Sequence, residues 1–384
     1  MMRPMKLAGS ELMFGQGTLA HLRTLQGSRA VIVMRGSRFA TNGVLDTVAG
    51  YLAEAGIEWT VFDGVEPDPK FASVLAGAEV MKQFQPDWII ALGGGSAMDA
   101  AKAMWVYYEH PELTELADIL PPKKIPPLRR KARMVCIPST SGSASEVSRS
   151  IVITDDVTGI KHGIGDMEMM PDVAICDPVV TATMSPRVTA DSGMDALTHA
   201  IEAYVSTRAN YVSDILAIAA AKDIVEYLPK AFAEGDDLAS RERMLNASMV
   251  AGLAFTNVSL GIVHSIAHSL GSLFGIAHGL ANAVILPHVV GFNSADPTAR
   301  ERYAELAEAF GMDDLATGLQ ALCVRIEVPG SLRELVPDEA EFTARLPELV
   351  AMAQADGCTK TNPILPTPQQ FHDLYLAAYR GTTE

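Results

Sequence analysis

Apolar residues fall in two rhythms along the chain. Up to about residue 180, short runs rich in β-branched residues alternate with longer stretches of helical period. Arg29–Met34 (RAVIVM), Glu58–Phe62 (EWTVF), Trp88–Leu92 (WIIAL) and Met134–Ile137 are expected strands, with helices over Gly43–Ala55 and Ala72–Phe84 between them. Ser150–Thr154 and Val173–Asp177 are further expected strands of the same domain. Alternating strand and helix with wholly apolar strands predicts a parallel sheet covered on both faces. The segment HPELTELADILPPKKIPPLRRKA, rich in proline and charge, reads as a surface excursion. From Ser185 onward the pattern is helical: Asp214–Leu228, Ser240–Ala254, Ile262–Leu273 and Pro297–Phe310. The expected architecture is an α/β domain over 1–180 followed by an all-α domain over 181–384.

Length and composition narrow the classes. At 384 residues, 48% hydrophobic and 20% charged, the chain suits two globular domains. A formal charge of −16 disfavours a nucleic-acid backbone or an anionic membrane as partner. No stretch approaches the roughly 20 apolar residues of a spanning helix, and the start lacks the apolar core of a secretory signal. Cys136, Cys176, Cys323 and Cys358 are scattered, as expected of reduced thiols in a cytoplasmic protein.

Three stretches carry candidate chemistry. Thr189–Ser206 is expected to be helical from about Asp191 or Ser192, which puts Asp195 and His199 one turn apart on one face. Such a pair fits a divalent cation, and fits equally a plain hydrogen bond between the two. Four of the nine histidines, His264, His268, His278 and His288, cluster downstream, the first two on one helix face. In the α/β half, the strand at 88–92 runs into Gly93-Gly94-Gly95-Ser96 at a helix start. There backbone N–H groups and the helix dipole can meet a phosphate, although a plain tight turn has the same look. The loop Pro138–Glu146 places five hydroxyls at a strand's C-terminal end, the usual ligand edge of a doubly wound sheet.

In order along the chain, Phe14-Gly-Gln-Gly17, GGGSAMDAAK, STSGSASE, GMDALTHAIEAY and the histidine segment 264–279 resemble the iron-containing, or group III, alcohol dehydrogenases over essentially the full length. The helical part is also similar to the alcohol dehydrogenase half of bifunctional aldehyde–alcohol dehydrogenases. The resemblance implies the dehydroquinate synthase-like fold and a metal held by Asp195, His199, His264 and His278. It makes that metal Fe²⁺ or Zn²⁺, two ions that this ligand set serves alike. It implies His268 beside the nicotinamide as a catalytic proton relay, with His288 and Glu202 structural. It implies a dinucleotide site of Gly94, Gly95, Ser96, Asp99, Ser139, Thr140, Ser148 and Lys161, with Lys102 on the same helix as Asp99. Members more often have Thr at Ser139 and Ser143, and the hydroxyl survives in both. NAD-preferring members carry an Asp after the first strand, where this chain reads Met34-Arg35-Gly36-Ser37-Arg38; NADP use, or tolerance of it beside NAD, is therefore expected.

The implied reaction is reversible hydride transfer between a primary alcohol and NAD(P), giving an aldehyde. Phe255 matches a pocket wall position for a short apolar substrate. Arg149 near the pocket would instead favour a semialdehyde or hydroxy acid such as 4-hydroxybutyrate, and a polyol dehydrogenase is the other rival. A non-catalytic assembly subunit that binds metal and nucleotide is the reading from a different class. By resemblance the chain forms a homodimer or a higher homo-oligomer.

Overall fold

The computed structural model describes residues 5–381; the side chain of Arg38, one of the two arginines in the cofactor-preference argument, lies outside the described residues, as do residues 1–4 of the amino terminus. The chain divides into two compact units, one ending at Thr183 and the other beginning at Met184.

The first unit is built on strands β1 (Glu11–Phe14), β2 (Arg29–Val33), β3 (Glu58–Phe62), β4 (Trp88–Gly93), β5 (Arg133–Pro138), β6 (Ser150–Thr154), β7 (Lys161–Gly165) and β8 (Val173–Cys176). Six of them form one parallel sheet in the order β1-β8-β5-β4-β2-β3. Successive side chains of a strand point to opposite faces, and both faces here are covered. Val31, Ile89 and Met134 pack into one core with the Phe71–Phe84 and Gly95–Glu109 helices. Ile32, Ile90 and Val135 pack into the other, beneath Val44–Glu54. That double cover is why these strands read as unbroken apolar runs. Each fully buried Val or Ile contributes roughly 1.5–3 kcal/mol.

Three features depart from the expectation. Ser150–Thr154 is a strand but not of the main sheet: β6 pairs antiparallel with β7 as a separate hairpin. The stretch after His110 is not a solvated excursion, because Leu116, Ile119, Ile125 and Leu128 are buried in the core. Arg129 there bonds Asp172 at 2.7 Å and lies over the Trp105 ring at 4.8 Å, so its charge and its flat face are both used. A short strand, β1, joins the edge beside β8, too brief for a visible alternation.

The second unit is helical: Pro186–Val205, Tyr211–Ala233, Leu238–Val258, Ile262–Phe274, His278–Asn293, Pro297–Phe310, Leu315–Arg325, Glu339–Ala355 and Pro368–Arg380. The first begins five residues before Asp191. Ser185 caps it by accepting from the Val188 N–H, and Pro186 occupies the first turn, where its missing N–H costs nothing. Among the described residues no single helix is long and apolar enough to cross a membrane. The apolar pair Leu238–Val258 and Ile262–Phe274 bends by 102° at its break.

Candidate metal centre

Helical period sets the first two donors. Asp195 and His199 lie one turn apart on Pro186–Val205, both almost fully buried, with 3.8 Å between the carboxylate Oδ1 and the imidazole Nε2. His264 enters from the start of Ile262–Phe274, its Nε2 3.7 Å from the same Oδ1. His278 opens the His278–Asn293 helix, and its Nε2 is 3.4 Å from that oxygen. This helix comes so close to the Asp195 helix that a Cβ on Gly279 would stand 1.9 Å from the Asp191 carbonyl oxygen. Only glycine permits that approach, and the approach delivers His278.

Three nitrogens thus surround one carboxylate oxygen. A tetrahedron whose corners lie about 2.1 Å from its centre has edges of about 3.4 Å. The observed separations match that spacing or slightly exceed it.

Electrostatics favours a cation at this point. Burial alone would raise the Asp195 pKa, but the neighbouring imidazoles reverse this and hold it well below the usual range. Burial alone would lower His264; the Glu202 and Asp195 carboxylates on its two nitrogens lift it to about 9 instead. The two carboxylates draw positive charge to this point, a proton on His264 in the metal-free protein, and a divalent cation that displaces that proton supplies it instead. The residues fit such an ion.

Partners of the donors escaped the sequence reading. Glu202 is more than structural filling: its Oε2 accepts from His264 Nδ1 at 2.6 Å, and the carboxylate also takes the N–H groups of Gly261 and Val263. That directs the lone pair of His264 Nε2 toward Asp195, as carboxylates do behind metal-bound imidazoles. The signal was available, since Glu202 lies two turns beyond Asp195 on the same face. Asn282 lies one turn beyond His278 and donates to Asp195 Oδ1 at 2.8 Å.

His268 stacks on His278 with ring centroids 5.2 Å apart and bonds Asp356 through Nδ1 at 2.8 Å. With Cys358 these two form a second group of possible ligands. It is the poorer one: Nδ1 is engaged by Asp356, and burial holds the Cys358 thiol well above its ordinary pKa, hence protonated. Phe255 is a core residue whose ring stacks on His199 at 4.3 Å. His288 stands apart from the cluster, its pKa lowered by burial.

In the first unit the two polar loops meet at the C-terminal edge of the sheet. Ser139 N–H donates to the Gly93 carbonyl at 2.9 Å, and a Cβ on Gly95 would fall 3.0 Å from the Ser143 Cβ. Gly94, Gly95, Ser96, Ser139 and Thr140 are half-buried along this edge. Asp99 is half-buried as well, and Ser148 is buried. Asp99 accepts from Ser145 Oγ at 2.7 Å and Val152 N–H at 2.9 Å. Lys102, fully buried, donates to Ser145 Oγ at 2.9 Å and to the Ser148 carbonyl at 2.8 Å. Asp99 and Lys102 therefore clamp the hydroxyl loop to the helix behind the glycines. Lys161 pairs with Asp68 at 2.8 Å, and Arg149 immediately precedes the β6–β7 hairpin.

Residues 9–178 match the iron-containing alcohol dehydrogenase family, and residues 189–379 match the C-terminal part of the Fe-containing alcohol dehydrogenase family. The chain belongs to the iron-containing alcohol dehydrogenases. It is an oxidoreductase of alcohols and aldehydes that uses iron and a nicotinamide dinucleotide. The NADPH-dependent butanol dehydrogenase of Clostridium saccharobutylicum is 45% identical, with 97% of each chain covered. The bifunctional aldehyde-alcohol dehydrogenase of Escherichia coli (strain K12) is 40% identical over 92% of this chain and 43% of its own length. Among solved structures, the iron-containing alcohol dehydrogenase of Thermococcus thioreducens superposes with a TM-score of 0.92 at 36% identity, covering 98% of this chain and 100% of that one. As in that family, the architecture is an α/β unit with a parallel sheet followed by a helical unit.

Proposed function

We propose that Asp195, His199, His264 and His278 hold the catalytic cation, and that the chain interconverts short primary alcohols and their aldehydes with NADP(H). The observation that carries this reading is the convergence of three imidazole nitrogens on Asp195 Oδ1 at 3.4, 3.7 and 3.8 Å. A cation so held supplies Lewis-acid polarisation of the alcohol or carbonyl oxygen. The dinucleotide supplies the hydride chemistry.

The chain's own groups do the placing. Glu202 keeps His264 in the tautomer whose Nε2 faces Asp195. Asp356 accepts a hydrogen bond from the Nδ1–H of His268, so the His268 Nε2 is left to accept or return the alcohol proton. Gly94, Gly95 and Ser96 open the Gly95–Glu109 helix and offer backbone donors to the pyrophosphate. Ser139 and Thr140 add hydroxyls, while Asp99, Lys102 and Ser148 hold that loop in place rather than touch the dinucleotide. Lys161 serves the same edge from its pair with Asp68.

Cofactor preference rests on the end of β2, where Arg35 is exposed and no acid follows; the clostridial relative is by name NADPH-dependent. One feature favours NAD instead. Asp63, exposed at the end of β3, lies beside this turn and accepts the Gly36 N–H at 2.9 Å through its backbone carbonyl. Substrate size rests on Phe255, an apolar wall beside His199. A semialdehyde reading depends on Arg149, and unchanged relative kcat/KM for butanal and succinic semialdehyde in Arg149→Ala removes it. The buried or half-buried free thiols suit the cytoplasm, and the assembly we expect is a homodimer or larger, measurable by light scattering. The test of the whole reading is anaerobic Fe²⁺ loading followed by butanal with NADH and NADPH compared by absorbance. Oxidation of NADPH in preference to NADH is expected. Oxidation of neither, with metal bound, would overturn it.

A further inference from the structure

We infer that Asn282 is a positioning residue of the metal centre: its amide donates to Asp195 and fixes which lone pair of that carboxylate is offered to the cation. This rests on the metal reading above and adds to it a residue that is not a ligand.

Asn282 is fully buried on His278–Asn293, one turn beyond His278. Its Nδ2 lies 2.8 Å from Asp195 Oδ1, 3.3 Å from His278 Nε2 and 3.5 Å from His264 Nε2. The amide cannot be turned round, because its carbonyl oxygen would then stand at hydrogen-bond distance from a carboxylate oxygen with no proton between them. The donor side therefore faces the cluster. The cost falls on the other atom: Asn282 Oδ1 is buried and has no hydrogen-bond partner. An unsatisfied buried carbonyl is destabilising, and leucine has nearly the same shape without it. The amide is thus a poor choice for packing and a good one for its donor.

What the donor does follows from the carboxylate's geometry. An ionised oxygen has two lone-pair directions. One is taken by Asn282 at 2.8 Å, which leaves the other for a cation. The two longer contacts, to the imidazole nitrogens, are the ones a cation would replace. Partners of this kind typically change metal affinity by about 10–100-fold when removed.

The test is a Co²⁺ titration of metal-stripped wild type, Asn282→Leu and Asn282→Ser, read by the visible cobalt spectrum, with thermal unfolding of each metal-free protein. Asn282→Leu should weaken Co²⁺ binding at least about tenfold and alter the spectrum, with the metal-free unfolding midpoint unchanged or raised. Asn282→Ser, which cannot reach Asp195, should weaken binding as well. Wild type that binds no Co²⁺ would overturn the metal reading and this inference together. Wild type that binds, alongside a folded Leu or Ser variant of equal affinity and unchanged spectrum, would overturn the inference alone. A lowered metal-free midpoint in Asn282→Leu with unaltered Co²⁺ binding in Asn282→Ser would mean that Asn282 only packs.

Discussion

In the first unit the groups proposed to face a ligand are backbone amides and hydroxyls at a sheet edge; in the second they are four ionisable side chains drawn from three helices. The difference shows in where charge is spent. The charged residues near the glycine turn, half-buried Asp99 and fully buried Lys102, bond the protein's own loop. Around Asp195 charge is aimed at the centre: His264 keeps Nε2 for it and gives Nδ1 to Glu202. A phosphate needs many weak donors held still, whereas a cation needs a few strong ones aimed at one point.

The two plans should fail separately, and the largest effect belongs to the second. Asp195→Ala should lose the metal and bring turnover to background, with dinucleotide binding by fluorescence retained; a fully active variant would sink the assignment. Glu202→Gln should lower metal affinity by about 10–100-fold through misdirection of His264, seen in competition with a chelator. Lys102→Met should do the reverse, weakening dinucleotide binding by about tenfold while metal content is unchanged. Equal loss of both functions in Lys102→Met would erase the distinction.

The smallest effect concerns stability in the first unit. Burial, offset only in part by Lys102, raises the Glu146 pKa to about 7 from an ordinary 4.5. A carboxyl with a raised folded-state pKa favours the folded state fully below pH 4.5, and that advantage is lost as pH rises through 7. Over this window the loss is on the order of 3 kcal/mol. Glu146→Gln should flatten this part of the denaturation profile, and an unaltered slope would exclude the assignment.

Much of this was legible in the sequence because it depends on period. Buried strands between helices, and Asp195 with His199 at four-residue spacing, follow from geometry within one element. The meeting of His264 and His278 with that pair depends on helix packing at Gly279, which spacing along the chain does not encode; only the family resemblance indicated it. Asn282 is visible in hindsight as a lone amide in the apolar run GLANAVIL. Asp356 is not visible, since it reaches His268 from 88 residues away. The bonds from Asp99 to Ser145 and Val152 were hidden for a related reason: a polar residue near a ligand loop has the same letter whatever it bonds.

The most direct measurement is X-ray absorption on zinc-loaded protein, because two neighbouring groups could in principle take the ion: Asp195, His199 and His264, completed by His278, or His268, Asp356 and Cys358. The account predicts only nitrogen and oxygen neighbours, four in number, at about 2.0–2.2 Å. A sulfur neighbour at about 2.3 Å would place the metal on Cys358 and contradict it.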